Sequence, residues 1–139
     1  MKKLNFKIVK VGDRLPNLII NSVSKKSLSI YSKASGDHHP IHNNLDFAKQ
    51  TGLNDVIAHG MLIMGYLGRV LTDNINQHNI LEYGTKFLSV TNIGDVLSCS
   101  GSIAEIIKND SQKKIRINLK VENQHNEKKI TGYSIIKIS

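Results

Sequence analysis

The chain has 139 residues, close to the roughly 150 of an average domain, so a single core must carry whatever chemistry it performs. Its 40% hydrophobic content and two prolines exclude wholesale disorder, and the longest apolar run, Met61 to Leu67, is far short of the roughly 18 residues of a membrane span. Nineteen Lys and Arg against eleven Asp and Glu leave a charge of +8, which favours an anionic partner. Scattered lysines, no tryptophan, no aromatic RNA-binding strand motif and no paired Cys/His zinc spacing argue against nucleic acid.

In chain order, MKKLNFKIVKVGDR has a Lys pair but no apolar run behind it, so no secretory leader is expected and the cytoplasm is the expected location. Short runs at Phe6 to Val9 and Leu18 to Val23 are expected edge strands. Ser24 is placed to cap a helix through Ser35, with Leu28, Tyr31 and Ala34 inward and Gly36 as its stop. Asn44 is placed to cap a shorter one through Gln50, ending at Gly52. From Ala58 to Asn74 apolar residues surround the axis, which predicts a helix buried on most sides, with Arg69 and Asp73 marking a wet stripe near its end.

The second half predicts strands at Thr85 to Thr91, Val96 to Ile107, Lys114 to Glu122 and Lys129 to Ile138, parted by turn-forming residues; Lys114 to Glu122 alternates without a fault. Short connections imply an antiparallel sheet with one wet face. Four such strands curling around one buried helix form the outline of a single-domain, α+β hot-dog fold spanning residues 1–139. Cys99, alone and in an alternating apolar stretch, reads as a buried structural thiol.

Two clusters could carry chemistry. Ser35-Gly36-Asp37-His38-His39-Pro40-Ile41-His42 falls between two predicted helices, and the bend at Pro40 can bring the Asp37 carboxylate to the His42 imidazole. Imidazole titrates near pH 6.5 and suits general acid-base work, with the carboxylate orienting it or sharing a water. The same residues also read as a turn-capping Asp and surface histidines, or as metal ligands from Asp37, His38, His39 and His42, although adjacent histidines in an extended loop point apart. In the second cluster, Gly60 opens the buried helix, where unpaired amides and a partial positive charge suit an oxyanion. Relief of crowding explains that glycine equally well, and His59 reads as a hydrogen-bonder at the helix start. Gly65 and Gly68 inside the helix imply a close approach, either by a strand or by an acyl chain running beside Met61 and Met64.

Taken together, SGDHHPIH, LDFAKQTG and VIAHGMLIMG resemble the MaoC-like hot-dog dehydratases, including (R)-specific enoyl-CoA hydratases, in order and spacing from Ser35 to Leu71. GLNDVIAHGMLIMG followed by EYGTKFLSV is most similar to the catalytic subunit of two-subunit (3R)-hydroxyacyl-carrier-protein dehydratases. The resemblance implies that Asp37 and His42 form a catalytic dyad, that the Gly60 amide meets the thioester oxygen, and that Pro40, His59, Met61, Met64 and Gly65 border the substrate. It implies reversible hydration of a trans-2-enoyl thioester of coenzyme A or acyl carrier protein, with no metal or redox cofactor. It also implies pairing of two hot-dog domains, as a homodimer or with a partner subunit. Two departures stand out: His39 replaces the usual Asn before the proline, and Gly65 replaces a serine found in some hydratases. A hot-dog thioesterase and a non-catalytic acyl-binding subunit are the competing expectations.

Overall fold

Strict alternation in the second half does what elementary strand geometry requires. In the computed structural model, which describes residues 4–138, Ile115, Ile117, Leu119 and Val121 are buried while Lys114 before them and Asn118 and Lys120 between them are exposed. They belong to the fourth of five strands: β1 (Leu18–Ile20), β2 (Ile80–Phe87), β3 (Leu97–Asn109), β4 (Gln112–Glu122) and β5 (Lys128–Ile138). These form one antiparallel sheet in the order β1-β3-β4-β5-β2.

Three α-helices precede most of the sheet: α1 (Lys25–Ser35), α2 (Leu45–Gln50) and α3 (Gly60–Thr72). Ser24 caps α1 through Ser27 in a reciprocal capping box, and Gly36 ends it in the left-handed region at φ 78°. Asn44 caps α2 through the Phe47 amide. From α3, Ile63, Leu67, Val70 and Leu71 enter the same buried cluster as Leu97, Cys99, Ile103, Ile115 and Ile136 of the sheet. This helix against a five-stranded antiparallel sheet is the α+β hot-dog arrangement. No helix among the described residues is long and apolar enough to cross a membrane.

Four expectations are corrected. Phe6 to Val9 is a turn, because the Asn5 side chain and carbonyl take the Lys7 and Ile8 amides. In α1 the inward positions are Leu28 and Ser32, whereas Ala34 is exposed. Helix α3 is buried along one stripe: Met61 is 57% exposed, and Gly65 opens to free space. Strand β2 starts at Ile80 and stops at Phe87, because the chain beyond it leaves the sheet: the Ala58 amide donates to the Thr91 carbonyl, and Ile57 bridges Asn92. The Lys2–Lys3 pair lies outside the described residues.

Candidate active site

Local hydrogen bonding shapes the loop after Gly36. The Asp37 amide donates to Ser35 Oγ at 3.1 Å, and Asp37 Oδ1 accepts the His39 amide at 3.2 Å. His39 Nδ1 then accepts the Ile41 amide at 3.1 Å, capping a short 3-10 turn, Pro40–His42, in which Pro40 sits at the start where its missing N–H costs nothing. His39 thus performs with a ring nitrogen the capping that an asparagine side-chain oxygen performs.

The turn delivers His42 beneath Asp37. His42 Nδ1 lies 2.7 Å from the Ile57 carbonyl, which only accepts, so the hydrogen of the neutral ring sits on Nδ1 and the Nε2 lone pair is free. Nε2 lies 4.0 Å from Asp37 Oδ2; the His42 side chain is 12% exposed and that of Asp37 49%. The hydrogen bond from the His39 amide, aided by the neighbouring imidazoles, holds the Asp37 carboxyl below the ordinary value against a lesser opposing effect of desolvation.

His59 lies behind this pair. Its ring stacks on His42 with centroids 3.9 Å apart, and the Tyr31 ring meets it edge-on at 4.9 Å. His59 Nε2 reaches Ser32 Oγ at 3.1 Å and the Asp37 carbonyl at 3.2 Å, while its buried Nδ1 has no partner. Burial, above all, holds this imidazole below its ordinary pKa, and the charge of His42 acts in the same direction.

A cleft of about 340 Å³ opens beside His42 and is lined also by Ile57, Gly60, Phe87, Thr91 and Lys129. Gly60 is the first residue of α3, and His59 before it makes no side-chain cap, so the N-cap side chain takes none of the first-turn amides. The Phe87 ring lies over Gly60, where a Cβ would stand 3.1 Å from Phe87 Cε1. The His42 imidazole and the start of α3 therefore face one half-open space, with the Asp37 carboxylate 4.0 Å from His42 Nε2.

Asp37, His42, His59 and Gly60 are thus brought together, and Pro40 shapes the turn between them. Met61, Met64 and Gly65 do not line this cleft. Thr85 Oγ1 donates to Met64 Sδ, while Gly65 opens onto a separate groove of about 400 Å³ between α3 and β2, beside Gly68, Arg69 and Tyr83. Gly68 meets the ring of Tyr83 on β2, which is the strand approach, one of the two explanations open for the helix glycines. As potential metal ligands, Asp37, His42 and His59 offer atoms within 4.8 Å of one another, without His38 or His39. Ligands of one ion aim ring edges at a common centre, whereas these two rings lie nearly face to face.

Sequence reasoning missed Ile57, Phe87, Thr91 and Lys129. Ile57 acts through its backbone carbonyl, which no side-chain pattern reveals. Lys129 carried one signal, a cation beside the apolar run that opens β5.

The MaoC-like domain family matches residues 6–127. The mitochondrial 3-hydroxyacyl-[acyl-carrier-protein] dehydratase of Arabidopsis thaliana is 25% identical over 122 residues, 86% of this chain and 71% of that one. The (R)-specific enoyl-CoA hydratase of Rhodospirillum rubrum is 25% identical over 91 residues, 64% of this chain and 63% of that one. Among solved structures, the unliganded R-hydratase PhaJ1 of Pseudomonas aeruginosa superposes with a TM-score of 0.80 at 22% identity, covering 94% of this chain and 85% of that one.

Proposed function

Because the chain belongs to the MaoC-like family, whose named relatives here are hydratases and dehydratases, we propose that it interconverts trans-2-enoyl and (R)-3-hydroxyacyl thioesters by adding or removing water. The observation that carries this reading is the His42 ring, whose Nδ1 hydrogen is committed to the Ile57 carbonyl while Nε2 faces Asp37 across 4.0 Å. Two atoms so spaced leave room for one water oxygen about 2.8 Å from each.

In the hydration direction His42 Nε2 takes a proton as the water oxygen attacks C3, and Asp37 orients that water. The electron pair of the double bond moves toward the thioester carbonyl, whose growing negative charge meets the Gly60 amide at the start of α3. A proton delivered to C2 from the dyad completes the addition, so one water is consumed and no redox change occurs. The chain's net charge of +8 suits an anionic handle, either coenzyme A or acyl carrier protein.

We place a second copy along β2, the edge strand that carries exposed Leu81 and Phe87 beside exposed Met61 of α3. Sedimentation showing a monomer at micromolar concentration would remove that part of the reading. The reaction is tested by the loss of enoyl-thioester ultraviolet absorbance on mixing with crotonyl-coenzyme A, with chiral analysis of the product. The (R)-3-hydroxy product is expected. Free thiol in its place would identify a thioesterase and overturn the assignment.

A further inference from the structure

Lys129 is 2% exposed, and a lysine is almost never buried so completely unless paired. Strand alternation does not account for it, since Ile130, Ser134 and Ile136 are the inward positions of β5. A bulge does: Val121 of β4 pairs with Ile130 and Glu122 with Lys128, so Lys129 is the extra residue, and bulges re-aim side chains in this way. Its Nζ donates to the Val90 carbonyl at 2.7 Å and lies 3.9 Å from Asp95 Oδ2 and 3.7 Å from Glu127 Oε2.

These partners hold the segment that lines the cleft. Asp95 Oδ2 accepts the Asn92 amide at 2.9 Å, so Lys129 and Asp95 clamp the chain on both sides of Thr91. The Thr91 carbonyl accepts the Ala58 amide at 2.9 Å, and Asn92 bridges Ile57. Ile57 in turn supplies the carbonyl that fixes the His42 ring, and Gly60 follows Ala58 by two residues.

We propose that Lys129 is a positioning residue of the active site, holding residues 90–92 so that the Ile57 carbonyl and the Gly60 amide keep the spacing that His42 and the substrate oxygen require. The proposal rests on the roles given above to His42 and Gly60. Lys129 acts through the cleft wall, because its amine is held by Val90, Asp95 and Glu127.

The test compares wild type with Lys129→Met, which keeps an unbranched chain without the charge, and with Asp95→Asn, which loosens the same clamp from its other end. Amide exchange measured by NMR needs no turnover: the Ala58 amide is expected to exchange about 10-fold faster in both variants, with Ile115 and Leu119 of the sheet unchanged. On crotonyl-coenzyme A, kcat is expected to fall ~10- to 100-fold with KM little changed, since a shift of about 1 Å at a catalytic group has such an effect. Exchange at Ala58 equal to wild type, or acceleration shared by every sheet amide, would overturn the proposal in favour of a merely structural lysine. If Lys129→Met does not fold, Asp95→Asn decides by the same readings. An inactive wild type whose Ala58 still responds to the variants would remove the reaction assignment and leave the clamp standing.

Discussion

The imidazoles of His42 and His59 lie nearly parallel, planes 23° apart, yet each gives its hydrogen bond to a different backbone carbonyl, Ile57 for His42 and Asp37 for His59. The stack therefore joins the loop after α1 to the segment that leads into α3. Burial and the adjacent imidazole disfavour the charged form of the His59 ring, and His42 keeps a free nitrogen toward Asp37.

This arrangement sets a direction for pH dependence. His59 has its pKa below the ordinary 6.5, so between its folded value and 6.5 the unfolded chain binds more protons than the folded one. The stability it contributes is complete above pH 6.5 and declines as pH falls through that window. The urea midpoint should drop between about pH 7.5 and about pH 5.5, and His59→Gln should flatten the drop. A wild-type midpoint that is level across this range would contradict the placement of His59.

Replacing either member of the acid-base pair should cost rate without unfolding the chain. Asp37→Asn and His42→Gln are each expected to lower kcat for crotonyl-coenzyme A hydration by ~10²- to 10⁴-fold. Near-wild-type turnover by both variants would dismiss the dyad.

Gly60 allows its amide to be tested apart from its size. It is the first residue of α3, where proline is tolerated, and His59 before it already has the extended backbone that a following proline needs, φ −62° and ψ 128°. Gly60→Ala adds the crowding against Phe87 but keeps the N–H; Gly60→Pro removes the N–H as well. The proline variant should be slower than the alanine variant by ~10²- to 10³-fold in kcat. Equal rates would mean that the amide does not meet the developing charge.

Cys99 should behave as core. It is fully buried in β3, and burial pushes its thiol up to about 12. An aromatic disulfide reagent should leave the native protein unmodified and release one equivalent of chromophore on unfolding in urea. Rapid native-state labelling would mean that β3 opens readily.

Much of the frame was legible in one dimension because local rules govern it. The Ser24 and Asn44 caps, the Gly36 stop and the period-2 run through β4 depend on residues close in sequence, and the structure has them where those rules place them. The loop motif and the glycine opening α3 were legible for the same reason, as short strings with fixed spacing. Length and charge also set the expectations of a single core and of an anionic partner.

Only the tertiary structure decided how these pieces meet. The orientation of His42 depends on the carbonyl of Ile57, fifteen residues away, and the burial of Lys129 depends on a bulge between β4 and β5 and on Asp95 just before β3. Helix α3 looked enclosed because its composition is apolar all round, but composition does not say which side a sheet covers; the structure buries Ile63 and Leu67 and leaves Met61 exposed. Backbone acceptors, bulges and uncovered faces leave almost no trace in residue types, because their effect comes from segments that folding alone brings together.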